Sequence, residues 1–583
     1  MIHNLGEYLK ILRQNEELIT INRFVDPNQE IAEITDRQAS LPHGGKALLF
    51  ENNGTSFPVI TNFLNSKKKF ALAFGLDNME DIETRISAFY EAISQYHTAG
   101  KFLKKSPVSE LAQYMPRTTH AGSCQEIALF PPDLNRIPFL RNRPFDEAHS
   151  LYDVPFIMKN PYLNSYIIES ARIQWHSKTT IQIRLEPCSH AAGFINDSPK
   201  SRIPLALFLG GDPLYTLTGI LPQSADIDPL LLTGYLRKKA IIKAPCISQP
   251  LEVPEESDLV IEGYIDKNAQ TVPAASCGEH TGFYSIGGKE PLMHVTCITH
   301  RKKPLLPLSI PSLGLNRSMV FFSKALSVFM EIKIEQSLAT EVRKLCLPYF
   351  SSPGSVAIIA VKKFYPGQIH KVAHAIWGSN LTAFNKLLIV VDEHVNVFDP
   401  DQVNDCLRKH YNPSRDTFFS RGPLSITDHA SPQRGFGGKM CIDATDKCVP
   451  VPHTSDRGDN PCLFYHKSEA DPLIGHPQAL ILIAVDEEIN LKNLSMCYWI
   501  AINQADPIRD VRIENGVLYV DACIKKMGDR GVTRPWPNVC CSSTETIRNV
   551  DSYWERLKIG DPVRSPSLVI QPLLRPGNAQ ITE

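Results

Sequence analysis

The chain has 583 residues, with 61 Lys+Arg against 62 Asp+Glu, 43% hydrophobic and 21% charged content. That length exceeds what one hydrophobic core supports, so two to four domains are expected. The net charge of -1 argues against a polyanion-binding surface and so against nucleic acid as a partner.

No run of about 18 apolar residues occurs, so no membrane-spanning helix is expected. The start, MIHNLGEYLKILRQNEE, lacks the basic-then-apolar pattern of a secretory leader. Lys67-Lys68-Lys69 is the longest lysine run and reads as solvated. The 14 cysteines are scattered without a C-x-x-C pair, and Cys540 and Cys541 are adjacent. Structural zinc needs clustered ligands, so buried reduced thiols in a cytoplasmic protein are the expectation.

In chain order, Asn4-x-x-Glu7 reads as a capping box, followed by one apolar face of Leu5, Tyr8, Leu9 and Leu12. LITINRFV (18–25), ALLF (47–50) and PVITNF (58–63) predict strands, and NQEIAEITDRQ a helix. The stripe Ile82, Ile86, Phe89, Ile93 and Tyr96 predicts a further helix with a core-facing side. PPDLNRIPFLRNRP (131–144) marks a connection. From about 155 to 310, SYIIES, RIQW, IQIRL, PLALFL, LVIEGYI and LMHVTCIT alternate with Gly and Pro, which predicts an antiparallel barrel or sandwich. LLLTGYLRKK (230–239) reads as a helix within it.

After 315 the period changes. MVFFSKALSVFMEI predicts a helix; SVAIIAV (355–361), a helix over 368–385 and KLLIVVD (386–392) predict a β-α-β unit. This domain carries an internal repeat: LIVVDEHVNV (388–397) matches LIAVDEEINL (482–491), and nine of the 29 positions from 388 to 416 are identical 94 positions later. IDAT (442–445) and VDAC (520–523) correspond at a shorter offset. The polar stretch 453–473 between the copies predicts a loop.

Chemistry concentrates between Glu262 and Tyr284. There a strand leads into Gly278-Glu279-His280-Thr281-Gly282, where two glycines permit a sharp turn around a carboxylate, an imidazole and a hydroxyl. A proton-transfer group and an ordinary hairpin turn both suit this stretch. No Walker motif, no G-x-G-x-x-G after a strand and no G-x-S-x-G occurs. Gly437-Gly438-Lys439 is a weak phosphate signal.

GGKALLFENNG (44–54), LNRIP (134–138), LFLGGDP (207–213), LEVPEESDLVIEGYI (251–265), GEHTGFY (278–284) and FGGKMCIDAT (436–445) occur in this order. Together they resemble the UbiD family of decarboxylases, which use prenylated FMN (prFMN), over residues 1–448; VTRPWP (532–537) and VDSYWERL (550–557) resemble the family's C-terminal end. The resemblance implies a multidomain α/β fold: an N-terminal α/β domain (1–115), a split-barrel flavin domain (116–315), a C-terminal α/β domain (316–450) and an extension holding the second copy (451–583). It further implies decarboxylation of an aromatic acid, of prenylated hydroxybenzoate or naphthoate type, in ubiquinone or menaquinone biosynthesis. A flavin prenyltransferase would supply the cofactor, and a dimer or hexamer would form. The chain would be cytoplasmic, with peripheral association at the inner membrane through a lipid-tailed substrate.

The family's N-x-G-x-Y-R-x-Q corresponds to Ile167-Ile168-Glu169-Ser170-Ala171-Arg172-Ile173-Gln174. Arg172 would position substrate and cofactor, as a guanidinium stays charged and forks onto a carboxylate. Glu279 matches the proton-donating acid of the family's Arg-Glu-Asp/Glu trio. The cofactor-binding set implied by the resemblance is Ser170, Ala171, Arg172, Arg184, Leu185, Glu186, Ser189, His190 and Lys439, with Ser189 where a basic residue is usual and His190 one step away. The trio's other carboxylate falls at Ala274, and the two position-specific metal ligands fall at Ile167 and Pro229, near Asp226 and Asp228. Losing two oxygen ligands weakens a hard-cation site, so flavin held without the divalent metal (Mn) usual in the family is the expectation, and no metal ligand is assigned. The alternative is a catalytically impaired homologue acting as a binding or assembly protein.

Overall fold

A computed structural model describes residues 2–76, 80–99, 111–162, 165–220, 228–311, 313, 326–331, 334, 339–348, 354–379, 382–447, 461–469 and 479–582. The chain forms two units: Met1–Gly278 with Ile286–Pro311 and Cys540–Leu568, and Glu279–Ser285 with Ser312–Val539 and Val569–Glu583.

In the first unit, helix Leu5–Gln14 begins where Asn4 accepts the Glu7 amide at 3.0 Å. The Glu7 carboxylate returns to the His3 amide at 2.7 Å, one residue earlier than a capping box requires. The face Leu5, Tyr8, Leu9 and Leu12 is buried as its spacing predicts. Strand Leu18–Ile21 stops short of the predicted Val25 and pairs parallel with Ala47–Phe50. That strand pairs antiparallel with Val59–Thr61, which takes Leu306–Pro307 as a parallel edge. Helix Glu80–Ala99 buries Ile82, Ile86 and Phe89; the side chain of Tyr96 lies outside the described residues.

The basic run is solvated at Lys67 and Lys68 but not at Lys69. Helix Lys67–Phe74 turns Lys69 inward, where its ammonium donates to the carbonyls of Asn62 at 2.7 Å and Gly45 at 2.9 Å. Burial lowers its pKa to about 7. A run's average character hid one residue's helical phase.

Six strands close into an antiparallel barrel: Arg202–Leu209, Ser150–Lys159, Tyr166–Ser177, Thr180–Arg184, Leu292–His300 and Leu259–Asp266, the last pairing back to the first. Strand side chains alternate between faces. One set, including Val154, Phe156, Ile173, Ile183, Leu205, Leu207 and Ile261, fills the interior and joins the N-terminal sheet in a single core. The opposite set, including Ile157, Ile168, Phe208 and Val260, packs outward on Tyr215, Leu230 and Val253. Helix Leu231–Arg237 lies within the predicted 230–239.

The first unit is completed from far along the chain. Helix Thr544–Leu557 packs on helix Glu30–Ala39 and contributes Val550, Trp554 and Leu557 to the core. Arg37, buried, holds the pair: its guanidinium reaches Glu33 at 2.6 Å, Asp551 at 2.6 Å, and the carbonyls of Val563 and Ile547.

The second unit contains the repeat. Strands Val356–Val361, Leu387–Asp392 and Phe436–Asp443 run parallel, and Thr417–Pro423 closes the edge antiparallel. Strands Cys462–His466, Ile481–Val485, Val517–Asp521 and Val511–Glu514 reproduce this order and sense. The helix expected over 368–385 ends at Trp377, and the helix expected over 319–332 lies mostly outside the described residues. Strand Cys462–His466 corrects the expectation of a loop over 453–473; its weak pattern becomes a strand because Ile481–Val485 offers a parallel partner.

The copies agree in atomic detail. Arg415 clasps Asp416, its neighbour, at 2.7 and 2.8 Å, and Arg509 clasps Asp510 at 2.9 and 2.7 Å. Each aspartate accepts the amide four residues earlier, of Asn412 or Asp506, at 2.8 Å. Lys447 and Lys525 each donate to the carbonyl four residues earlier, of Asp443 and Asp521.

Candidate active site

The site grows from the ladder between Tyr166–Ser177 and Thr180–Arg184. Its register sets Arg172 opposite Arg184, Ile173 opposite Ile183 and Gln174 opposite Gln182. The isoleucines point into the barrel, so the arginines and glutamines point out. All four are nevertheless buried. The cover is the stretch from Val272 to Cys277, which pairs with Lys289–Glu290 as a short ribbon. Gln182 donates to the Pro273 carbonyl at 2.9 Å, and Gln174 to Cys277 Sγ at 2.8 Å.

Like charges opposite one another in a ladder repel. Glu290 answers this: one carboxylate oxygen, Oε1, lies 3.2 Å from Arg172 Nη2 and 3.2 Å from Arg184 Nε. Two guanidinium groups and one carboxylate thus meet in a buried place. That suits an anionic ligand.

The other expected residues are placed as follows. Ala171 faces the interior with Ile167, whose side chain is core and offers no metal ligand. Ser170 faces outward beneath Gly219, where a Cβ would come within 2.3 Å of Ser170 Oγ, so glycine is required there. The buried Ser170 hydroxyl has no hydrogen-bond partner among the described residues. Leu185 packs partly on the barrel core, and the Glu186 carbonyl accepts the Ser189 amide at 3.0 Å. Ser189 caps helix His190–Asp197 by accepting from the Ala192 amide, a use for hydroxyl in place of the usual basic residue. Glu169, standing where the family motif has glycine, accepts the amides of His190 at 2.9 Å and Ala191 at 3.3 Å, and lies 3.3 Å from His190 Nδ1.

Ala274 donates its amide to the Gly288 carbonyl and contributes no carboxylate. Asp228 accepts the Leu230 amide at 2.9 Å and lies 3.6 Å from Lys243, while Asp226 is outside the described residues. Among the described residues no three His, Cys, Asp or Glu side chains form a metal site. At Ile167 and Pro229 the side chains offer a divalent metal no oxygen. The residues do fit a flavin-type anion, with Ser170 Oγ, Arg172 and Arg184 on one outward face.

The turn after Cys277 starts from a firm anchor. Asp146 accepts the amides of Gly278 at 2.8 Å and of Asn142 and Arg143 at 2.9 Å, and Tyr152 donates to the Gly278 carbonyl at 2.7 Å. Burial pushes Asp146 up to about 6 against the pull of those amides and of the Arg143 charge. A raised carboxyl pKa favours the protonated folded state, so this group's stabilisation is complete below its ordinary value of 3.8 and is lost as pH rises through about 6. Asp146→Asn is expected to flatten that decline. Urea midpoints from pH ~4 to ~7 check it: the wild type's should fall relative to the variant's, and parallel profiles would contradict the assignment.

Glu279 belongs to the second unit, Arg172 to the first. Glu279 is buried, and its amide donates to the Phe283 carbonyl at 2.9 Å while Gly282 returns to its own carbonyl at 3.0 Å. Trp499 Nε1 donates to the Thr281 carbonyl at 2.7 Å, and the Phe283 ring stacks on Trp499 at 5.0 Å. Trp499 comes from helix Leu494–Gln504 of the second copy, so the duplicated lobe helps shape the turn. Lys439 also lies in the second unit, buried, with its ammonium on the carbonyls of Ala383 and Asn385 at 2.6 Å. The glycine pair before it reflects close packing: a Cβ on Gly438 would lie 2.6 Å from the Ile508 amide nitrogen. That explains Gly437-Gly438 better than phosphate binding does.

Sequence reasoning missed Glu290, Asp146 and Trp499. Glu290 and Asp146 had no motif to mark them. Trp499 had a signal, being a rare residue inside the repeated segment.

Comparison with known proteins gives three consecutive family matches: the 3-octaprenyl-4-hydroxybenzoate carboxy-lyase N-terminal domain over 9–89, the Rift-related domain over 117–314 and the C-terminal domain over 325–444. An uncharacterized protein of Aquifex aeolicus is 30% identical over 450 residues, 76% of this chain and 92% of that protein. Another from Archaeoglobus fulgidus is 28% identical over 458 residues, 76% of this chain and 92% of that protein. Among solved structures, vanillic acid decarboxylase of Sedimentibacter hydroxybenzoicus in closed form has a TM-score of 0.68 at 22% identity, covering 79% of this chain and 94% of that one. The UbiD-class enzyme HmfF from Pelotomaculum thermopropionicum in complex with FMN has a TM-score of 0.61 at 22% identity, covering 81% and 98%. Both share the fold. With its three domain matches in order and a relative of this length and identity, the chain belongs to the UbiD family, a family of carboxy-lyases.

Proposed function

We propose that this chain decarboxylates an aromatic acid of prenylated hydroxybenzoate or naphthoate type, in quinone biosynthesis, with prFMN as cofactor. The observation that supports it is the buried outward-facing pair Arg172 and Arg184 sharing Glu290. When bound, prFMN supplies the electron sink for the pair left on carbon as carbon dioxide departs. Arg172, with Arg184 beside it, holds the substrate carboxylate; the covering stretch from Val272 to Cys277 keeps water from it. Glu279 returns a proton to the carbon that lost carbon dioxide, so each turnover breaks one C–C bond and consumes one proton. Ser170 Oγ serves the cofactor. The chain is cytoplasmic, works as a dimer or hexamer, takes its cofactor from a flavin prenyltransferase, and meets lipid-tailed substrate at the inner membrane.

The test is co-production with a flavin prenyltransferase. The purified protein should show near-ultraviolet or visible flavin absorbance, release carbon dioxide from a prenylated hydroxybenzoate or hydroxynaphthoate, and carry no stoichiometric manganese. One tightly bound manganese per chain would overturn the metal-free reading. A second reading, a homologue retained as a binding or assembly protein, is favoured by Glu169, whose carboxylate already occupies the His190 and Ala191 amides. Colourless, inactive protein under the same conditions would establish it in place of the first.

A further inference from the structure

We infer that the second copy of the repeat carries a face built to hold the Glu279 turn, with Trp499 as the positioning residue that sets where the Glu279 carboxyl stands. The inference deepens the proposed decarboxylase reading and rests on it for the role of Glu279.

The two copies separate what the repeat needs for its own packing from what it does not. Helix Pro400–His410 of the first copy buries Val403, Cys406 and Leu407. Their counterparts 94 positions later, Cys497, Ile500 and Ala501, are buried in helix Leu494–Gln504. That shared face packs the unit itself. The second helix buries a further stripe of Met496, Trp499 and Asn503, at the i, i+3, i+7 spacing of one helix face. The first copy has Gln402, Asp405 and Lys409 in those places. Gln402 and Lys409 are exposed there, and Asp405 is half-buried. A strand–helix unit of this kind therefore folds without an indole at that position. The burial of Trp499 answers to something outside the repeat.

That something is the turn. Glu279 and Phe283 pair across it, the Glu279 amide donating to the Phe283 carbonyl at 2.9 Å. Trp499 meets the turn at its tip and at its foot. Nε1 donates to the Thr281 carbonyl at 2.7 Å, and the indole stacks on the Phe283 ring at 5.0 Å. Thr281 is buried, so losing the indole N–H would leave its carbonyl short of that donor away from water. His429 packs on Phe283 at 4.5 Å, and the Tyr284 amide donates to the Asn538 carbonyl at 3.1 Å. The exit of the turn is thus tied to the same unit. Glu279 lies opposite Phe283, so a rotation of the turn swings its carboxyl. An acid misplaced by about 1 Å loses up to about 10²-fold in rate.

The test is a double-mutant cycle on the full chain co-produced with a flavin prenyltransferase. Trp499→Phe keeps an aromatic ring and removes the N–H. It should lower kcat by about 10- to 10²-fold with KM and flavin absorbance unchanged. In the Glu279→Gln background the same change should cost nothing further, because Trp499 acts through Glu279; a merely structural loss would appear in both backgrounds. Phe283→Leu, which removes the stack and keeps the N–H, should show the same dependence on Glu279. Hydrogen exchange reads the turn without activity: in Trp499→Phe the amides of Glu279 and Gly282 should exchange faster, while helix Leu494–Gln504 stays protected. Equal losses in both backgrounds, undiminished turnover in loaded Trp499→Phe, or unchanged exchange in the turn would overturn the inference. Undiminished turnover in Glu279→Gln, or a wild type that releases no carbon dioxide, would instead overturn the reading of Glu279 as proton donor, and faster exchange in Trp499→Phe would leave the holding face standing.

Discussion

Glu279→Gln is expected to lower turnover by about 10²- to 10⁴-fold, the usual share of a positioned acid, while flavin absorbance and the denaturation midpoint stay at the wild-type values. Glutamine has nearly the same size and cannot supply the proton. The turn should survive, because three of its contacts do not use the Glu279 side chain: Glu279 amide to Phe283 carbonyl, Gly282 amide to Glu279 carbonyl, and Trp499 to the Thr281 carbonyl. The measurement is carbon dioxide release under saturating acid, with the absorbance of each preparation recorded to fix the loaded fraction. Undiminished turnover in a fully loaded variant would remove Glu279 from the mechanism. Carbon dioxide released in a single burst, followed by stalled protonation, would strengthen its assignment to the last step.

The second large effect concerns stability. Arg37→Met is expected to cost about 3–5 kcal/mol, since removing one member of a buried pair leaves the other charged and unpaired. Glu33 is fully buried and loses its 2.6 Å partner, and the carbonyls of Ile547 and Val563 lose their donor. Asp551 is 57% exposed on its side chain, so water can take over its half of the contact. The damage should therefore appear in the packing of helix Thr544–Leu557 on helix Glu30–Ala39. Hydrogen exchange should accelerate in both helices and spare the sheets of the second unit. The double variant Glu33→Gln/Arg37→Met removes the stranded charge and should recover a large part of the loss. If the single variant were as stable as wild type, Arg37 would not be the staple.

Much of the fold and part of the site were legible in the sequence. Alternation gave the barrel strands, and ordered motifs carried the family. Arg172, Arg184 and the Glu279 turn stood out because motif spacing is local. Glu290 could not be found that way: its meaning comes from register, opposite Val272 and beneath two arginines that are themselves 12 positions apart. Lys69 was misjudged because a run of like residues says nothing about which one faces the core. The strand Cys462–His466 was taken for loop because its pattern is weak until a neighbouring strand supplies the hydrogen bonds. The duplication was visible at nine identities, but the equivalence of Lys447 and Lys525 across the shorter offset is plain only in the structure, where each donates to the carbonyl four residues earlier.

The clasp made by Arg37 sets a clock on the chain's birth. Its partner Asp551 lies 514 positions later. At roughly 5–20 residues per second, synthesis needs about 25–100 s to reach that partner once Arg37 has emerged. For that interval the groove on helix Glu30–Ala39 that will receive Val550, Trp554 and Leu557 stands open on a growing polypeptide. A ribosome-bound intermediate with this apolar face uncovered is a natural client for a chaperone that holds exposed hydrophobic segments.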